Sequence, residues 1–461
     1  MAEKMKNGAA GGVSDLVNGP VASTLISFSI PFMLSTFLQT LYSTADTIVV
    51  GQYLGSAGLS AVSNGSQLMQ LLYLFCVGFS SAGQVLIAQA QGAGKKEFER
   101  ELVGALFGIV VIFSVAIGVL CILFNGSFLT LLATPEEAFV QAEYYIIICG
   151  AGMVFTGLYN VFSAVLRGLG DSIHPLLFVL VASVVNIILD VVFIAFFHWN
   201  VAGAGLATII GQAVSVWFSF VYLKRHKELF PFSLHIRDLI PHREISMKII
   251  AIAIPMSIQN AAIQFSFLFV SRMVNALGVT VSAAFGVTQK LRNIPGMLTQ
   301  GLGTGCSAMI GQNLGARRND RVDVIMRWGY AITAGINAVF AIVFFAAPVL
   351  CFRMFTQDET VLVYAGICIL SLLIELPGKT CIYIGNALIN AQGFVKFSTI
   401  IGLTDAFAGR VFLSWLFGIR LGWGASGFFI GYSLGTYLTA IPGLVYYVSG
   451  LWKKRSLLTE N

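Results

Sequence analysis

Two carboxylates stand where carboxylates are rare. Asp46 is the only charge in VASTLISFSIPFMLSTFLQTLYSTADTIVVG, residues 21–51. Asp190 is the only charge between residues 175 and 197 and closes the run NIILD. An ionised carboxylate near the centre of a bilayer costs at least ~2.5–3.5 kcal/mol, so such residues persist where they face water or a cation. Asn186 and Asp190 are i, i+4 and share a helix face. The apolar stretches of this half hold no deep lysine or arginine; Arg167 and Lys224 lie at their ends. Without a basic partner, the two acids must be neutralised by protons, by a bound cation, or by one of each. That is the chemistry of cation coupling.

The second half carries a different set. Its apolar stretches hold Arg272, Lys290, Arg292, Lys379 and Arg410 against only Glu375 and Asp405. Glu375 and Lys379 are one helical turn apart and can pair within their helix. Arg410 is five residues from Asp405, a spacing that leaves an α-helical face. An unpaired Lys290 or Arg292 facing a cavity would repel cationic molecules and attract anionic or zwitterionic ones. His174 and His198 fall at span ends and read as solvated. The seven cysteines are scattered through apolar sequence without metal-ligand spacing and read as small core residues. No Walker motif is present, so ATP hydrolysis, and enzymatic activity generally, is not expected.

The elements that must position these groups are long and apolar. The chain has 461 residues, 57% hydrophobic and only 10% charged, a balance that marks a polytopic membrane protein. Backbone in lipid must bond within its own segment, and the alternation of a barrel is absent, so the spans are helices. We place them at 21–50, 58–90, 102–124, 138–166, 175–197, 201–223, 246–275, 280–311, 328–352, 361–390, 397–419 and 424–449, an all-α architecture of twelve transmembrane helices. Pro31 can kink the first, since proline removes a backbone hydrogen bond and crowds the preceding turn.

Twenty of the 27 Lys and Arg fall in the termini and in alternate connections. The opposite loops hold only Arg353 and Arg420, with Glu136, Glu137, Asp358 and Glu359. The positive-inside rule therefore places both termini in the cytoplasm. These basic residues sit in short loops between spans, so the net charge of +6 is no nucleic-acid signal.

The chain also repeats. SIPFMLSTFLQ at 29–39 echoes AIPMSIQNAAIQ at 253–264, and QAQGAGKKE at 89–97 echoes QNLGARRND at 312–320. VAGAG at 201–205 echoes WGASG at 423–427, so the offset stays at 222–224. The expected organisation is a flexible cytoplasmic arm over 1–20, a six-helix bundle over 21–223, a cytoplasmic connector over 224–245, a second six-helix bundle over 246–450, and a tail over 451–461. Six spans per repeat give both halves one orientation, related by a pseudo-twofold axis along the membrane normal.

Several motifs in order carry a family resemblance. Pro31, Asp46 and Gly51 form P-x14-D-x4-G, followed by QAQGAGKKE, LRGLGDSIHP at 166–175, NIILD at 186–190 and GAGLAT at 203–208. Over about residues 20–450 the chain resembles the MATE multidrug and toxic compound extrusion transporters, and the charges of its first half resemble the DinF-like branch. The resemblance implies alternating access between two bundles and efflux of amphipathic organic compounds, in exchange for inward H⁺ or Na⁺ and with no other cofactor. It implies a cation site at Asp46, Asn160, Asn186, Asp190 and Thr208, with Asp46, Asn186, Asp190 and Thr208 as Na⁺ ligands if sodium is the coupling ion. It adds Gln39 and Tyr42 to a substrate cavity, where Lys290, Arg292 and Glu375 are further candidates, and makes Pro31 a hinge. The expected setting is the bacterial cytoplasmic (inner) membrane, with small organic substrates and lipid as partners and a monomer as the working unit. The alternative is a lipid-linked saccharide flippase of the same superfamily, in which the second-half basic residues would hold a pyrophosphate.

Overall fold

A helix of 72 residues is far too long for one crossing, since ~20 residues at ~1.5 Å each already span a bilayer core. The first helix of the computed structural model, α1 (Val21–Gly92), has that length and breaks at Gly55, where φ is 65° and ψ −159°. Only glycine adopts that backbone without strain, so the limb 21–54 turns back into the limb 56–92 there. The helix runs on through Pro31, and Gly55 is its non-helical residue.

The structure describes residues 13–132, 134–226 and 242–457, so most of the expected connector, 227–241, lies outside the described residues. Next come α2 (Lys96–Leu131), α3 (Glu136–Ala151), α4 (Met153–Leu169), α5 (Ile173–Asp190) and α6 (Asn200–Arg225). After the connector follow α7 (Arg243–Asn275), α8 (Val279–Gly315), α9 (Asn319–Ala346), the short α10 (Pro348–Arg353) and α11 (Glu359–Leu362), then α12 (Ala365–Ala391). The last elements are α13 (Val395–Leu403), α14 (Leu413–Trp415), α15 (Gly424–Gly435) and α16 (Tyr437–Val448). Helices α3 and α4 bend by 47° and make one crossing. With α1 counted as two crossings, and α8 included despite Lys290 and Arg292 in its apolar run, the helices give the twelve spans.

The repeat is built into local structure. Helix α5 loosens into a π-helical turn, Val191–Phe196, and Leu416–Arg420 does the same in the second half. The Trp199 N–H donates to Phe193 O at 2.9 Å, and the Trp423 N–H to Phe417 O at 3.1 Å. Each indole stacks on that same phenylalanine, with centroids 5.0 Å apart in both halves.

The chain forms two compact units, divided just beyond Pro31 and again after Ser257. One holds Leu34–Ser257 with residues 13–15; the other joins Leu16–Met33 to Ile258–Asn461. In the first, Val50, Val62, Cys76, Cys121, Ile146, Cys149 and Ile194 share a buried core. In the second, Leu16, Val21, Leu25, Phe28 and Phe32 pack with Leu302, Met309, Met326 and Trp452. The arm expected to be flexible over 1–20 is therefore packed at its end. Leu16 is buried, Asn313 Nδ2 donates to its carbonyl at 2.9 Å, and Arg321 Nη2 donates to Gly19 O at 2.7 Å. Apolar burial and satisfied carbonyls outweigh the local glycine content there.

Exposed apolar side chains run in stripes, such as Ile112, Val115, Val119 and Leu123 on α2. Their helical spacing on an uncovered face suits lipid contact.

Candidate functional site

In the first unit the two deep carboxyls meet. Asp46 comes from the first limb of α1 and Asp190 from the end of α5, and their side chains are in hydrogen-bond contact. Asp190 is fully buried. Asp46 Oδ1 and Asp190 Oδ1 are both buried without a hydrogen-bond donor among the described residues. Two ionised carboxylates are acceptors only, so such a contact is a hydrogen bond only when one of them carries a proton.

Asn186, one turn before Asp190, lies between it and α6. With its amide turned so that both ends are satisfied, Nδ2 donates to Asp190 Oδ2 at 3.3 Å and the oxygen accepts from the Thr208 N–H at 3.2 Å. Thr208 Oγ1 donates to Ala204 O at 3.0 Å, which leaves its lone pairs free to accept. Immediately beyond Asp190 the backbone enters the π-helical turn, a widening that often accompanies working residues.

Of the five expected coupling residues, Asp46, Asn186, Asp190 and Thr208 are together. Asn160 makes its hydrogen bonds to other groups. It donates to Thr156 O at 2.8 Å and accepts from the Tyr73 hydroxyl at 3.3 Å. Tyrosines lie close to both. Tyr42 is within electrostatic reach of both aspartates and of Tyr159, Tyr159 bonds Gln39, and Tyr73 is within electrostatic reach of Tyr42 and Tyr159. Asp46 also acts on Tyr145 and Cys149 of α3, which hydrogen-bond each other. Gln39, Tyr42 and Asp46 are at i, i+3 and i+7 on α1, which explains their common face. Sequence reading missed Tyr73, Tyr145, Tyr159 and Cys149. Their one signal was a phenol or thiol inside apolar sequence, and that does not distinguish them from ordinary core residues.

The second unit gathers the other charges. Arg292 Nε bonds Glu375 Oε2 at 2.5 Å, and its Nη1 bonds Gln289. Lys379 Nζ is 3.2 Å from Glu375 Oε1 and 3.4 Å from Arg292 O. So Arg292 is paired and buried, not a free cation facing a cavity. Lys290 is exposed, 5.7 Å above the Phe355 ring, and stands outside this cluster. Arg410 and Asp405 pair at 3.1 and 3.3 Å, against the expectation from their spacing. The reason is local: Thr404–Phe412 is π-helical, and i→i+5 geometry stacks residues five apart. Arg410 Nη1 also donates to the Tyr432 hydroxyl at 2.8 Å. The guanidiniums of Arg292 and Arg410 lie 4.5 and 4.9 Å from the Tyr432 ring centre.

His174 departs from its expected solvation. Its Nδ1 is 2.7 Å from Asp171 Oδ2, and its ring stacks on Tyr222 at 3.8 Å. Asp171 also accepts the backbone N–H groups of Ile173 and His174, which caps the start of α5.

A family model described as MatE matches the chain twice, over residues 31–192 and 255–416. The chain is 28% identical over 447 residues to the probable multidrug resistance protein YpnP of Bacillus subtilis (strain 168), covering 97% of this chain and 99% of that protein. It is 23% identical over 391 residues to the multidrug export protein MepA of Staphylococcus aureus (strain MSSA476), covering 83% of this chain and 84% of that one. A solved structure described as the outward-facing conformation of a multidrug resistance MATE family transporter of the MOP superfamily superposes with a TM-score of 0.88 at 22% identity, covering 97% of this chain and 99% of that one.

Proposed function

The chain belongs to the MatE family of membrane transporters, and from that premise we propose that it is a proton-coupled antiporter exporting amphipathic organic compounds across the bacterial cytoplasmic membrane. The observation that carries this reading is the contact between Asp46 and Asp190. A fully buried and a half-buried carboxyl, each with an unpartnered oxygen and with no base beside them among the described residues, form a site that holds or releases a proton as its surroundings change.

The cycle follows from exchange at that pair. In the outward-open state a proton enters and joins Asp46 to Asp190, and bound compound leaves. The protonated carrier, with one negative charge fewer, reopens inward, where compound binding favours loss of the proton. Coupling requires that proton and compound favour different states, because a ligand with equal affinity for both shifts nothing. Asn186 and Thr208 hold Asp190 in place, and Tyr42 connects the pair to the Tyr159–Gln39 layer. Pro31 is the proposed hinge. The first helix passes from one compact unit to the other just beyond it, and the missing backbone N–H weakens the helix at that point.

A proton accounts for the pair directly, because two carboxyl groups bond each other only when one of them is protonated. The flippase reading asks for several free basic residues to hold a pyrophosphate, whereas Arg292, Lys379 and Arg410 share two carboxylates and leave an excess of only one positive charge.

The test is efflux of ethidium and norfloxacin from proteoliposomes under a pH gradient or a Na⁺ gradient, for wild type and Asp190→Asn. The reading requires that the pH gradient drive efflux and that Asp190→Asn lose the drive. Efflux driven by Na⁺ alone would replace the proton in this account.

A further inference from the structure

The second-unit cluster has a charge imbalance that its own members do not remove. Arg292, Lys379 and Arg410 face only Glu375 and Asp405. Arg292, Glu375, Lys379 and Asp405 are all buried. Burying an uncompensated charge is strongly unfavourable, so while all five groups are charged the excess of one positive charge favours an anion beside them.

Several donors of the cluster are not already engaged. Every guanidinium nitrogen of Arg410 is used, on Asp405 and Tyr432. Among the described residues, Arg292 Nη2 and the Tyr383 hydroxyl make no hydrogen bond, and Lys379 has donors beyond its contacts with Glu375 and Arg292 O. Gly296 lies beside Lys379 and Tyr383. A Cβ there would stand 3.6 Å from Lys379 Nζ and 3.9 Å from the Tyr383 hydroxyl, so the ammonium and the phenol converge on bare backbone. Tyr383 also lies within the electrostatic reach of Glu375 and Arg410.

We propose that this cluster is a recognition site for a carboxylate, held by Lys379, Arg292 and Tyr383, and that the exported compounds include amphipathic organic acids and zwitterions. The inference rests on the exporter reading and names a substrate class for it. A carboxylate fits better than a phosphate dianion, because a single negative charge balances the cluster and two would overshoot it. A carboxylate on Lys379 and Arg292 makes charge-assisted bonds, the strong kind. A cation would meet the positive excess instead.

The experiment measures binding of dansyl-phenylalanine and its methyl ester, two probes that differ in the carboxylate, to the purified full-length protein in lipid nanodiscs near neutral pH. Wild type should bind the acid about tenfold or more tightly than the ester, the size expected for a lost charge-assisted contact. Lys379→Gln should abolish that preference, Lys379→Arg should keep it, and Tyr383→Phe should reduce it severalfold. Folding of each variant is checked by its elution as a monodisperse species. Equal binding of acid and ester by wild type would overturn the proposal, with no variant needed. So would a preference that survives in Lys379→Gln, or no binding of either probe while gradient-driven ethidium efflux persists. Binding is read without any gradient, so failure of the coupling reading, seen as wild-type liposomes indifferent to pH, stays separate from failure of the carboxylate site.

Discussion

Asp190 bears the most weight of any single residue, because its carboxyl touches Asp46, accepts from Asn186 and has one oxygen without a donor. Asp190→Asn keeps the shape and removes the exchangeable proton. Efflux driven by a pH gradient should fall to background in proteoliposomes while the protein still purifies as a folded species. Asn186→Leu tests the support around it. Removing the amide leaves buried polar groups unpaired, so stability should drop by about 1–3 kcal/mol, read as a lower midpoint in detergent unfolding. Glu375→Gln should cost more. Glu375 stands between Arg292 and Lys379, and removing its charge leaves both buried cations without a carboxylate, since Asp405 pairs with Arg410; breaking a buried pair in this way costs about 3–5 kcal/mol. The aspartates were legible in the sequence because charge in apolar surroundings is rare. The tyrosines that connect Asn160 and Gln39 to them were not, because a tyrosine in apolar sequence is ordinary. Neither was the pairing of Arg292, whose partner is 83 residues away.

Among the elements, the twelve spans and their repeat could be read directly, since long apolar runs and a constant offset are properties of the sequence itself. Departures from α-helical geometry could not. Asp405 and Arg410 pair only because Thr404–Phe412 is π-helical. That segment is backed by a small-residue face on α15, where Gly427, Gly431 and Gly435 fall one turn apart. A Cβ on Gly431 would stand 2.6 Å from the Leu413 carbonyl, and one on Gly435 2.7 Å from Arg410 N. Glycines let these backbones approach as in other membrane helix pairs. Gly431→Val should therefore destabilise the protein by at least about 1–3 kcal/mol through overpacking, visible in thermal unfolding. The end of the amino-terminal arm was misread for a related reason. Its glycine content suggested mobility, while the groups that hold it, Asn313 and Arg321, lie about three hundred residues further on.

For the whole molecule, the distribution of basic residues predicts that both termini are cytoplasmic. Single cysteines placed near residue 5 and residue 458 in a cysteine-free background should resist a membrane-impermeant maleimide in intact cells and react after lysis. Labelling of either in intact cells would reverse the orientation and the direction of transport. The central claim, exchange of a proton for an exported compound at the Asp46–Asp190 pair, is tested most directly by proton release. Norfloxacin is added to the purified full-length protein in weakly buffered detergent near neutral pH, with a pH indicator present. The account predicts a release of protons that saturates with norfloxacin in wild type and vanishes in Asp190→Asn. Saturable norfloxacin binding without proton release from wild type, or an undiminished release from Asp190→Asn, would contradict it.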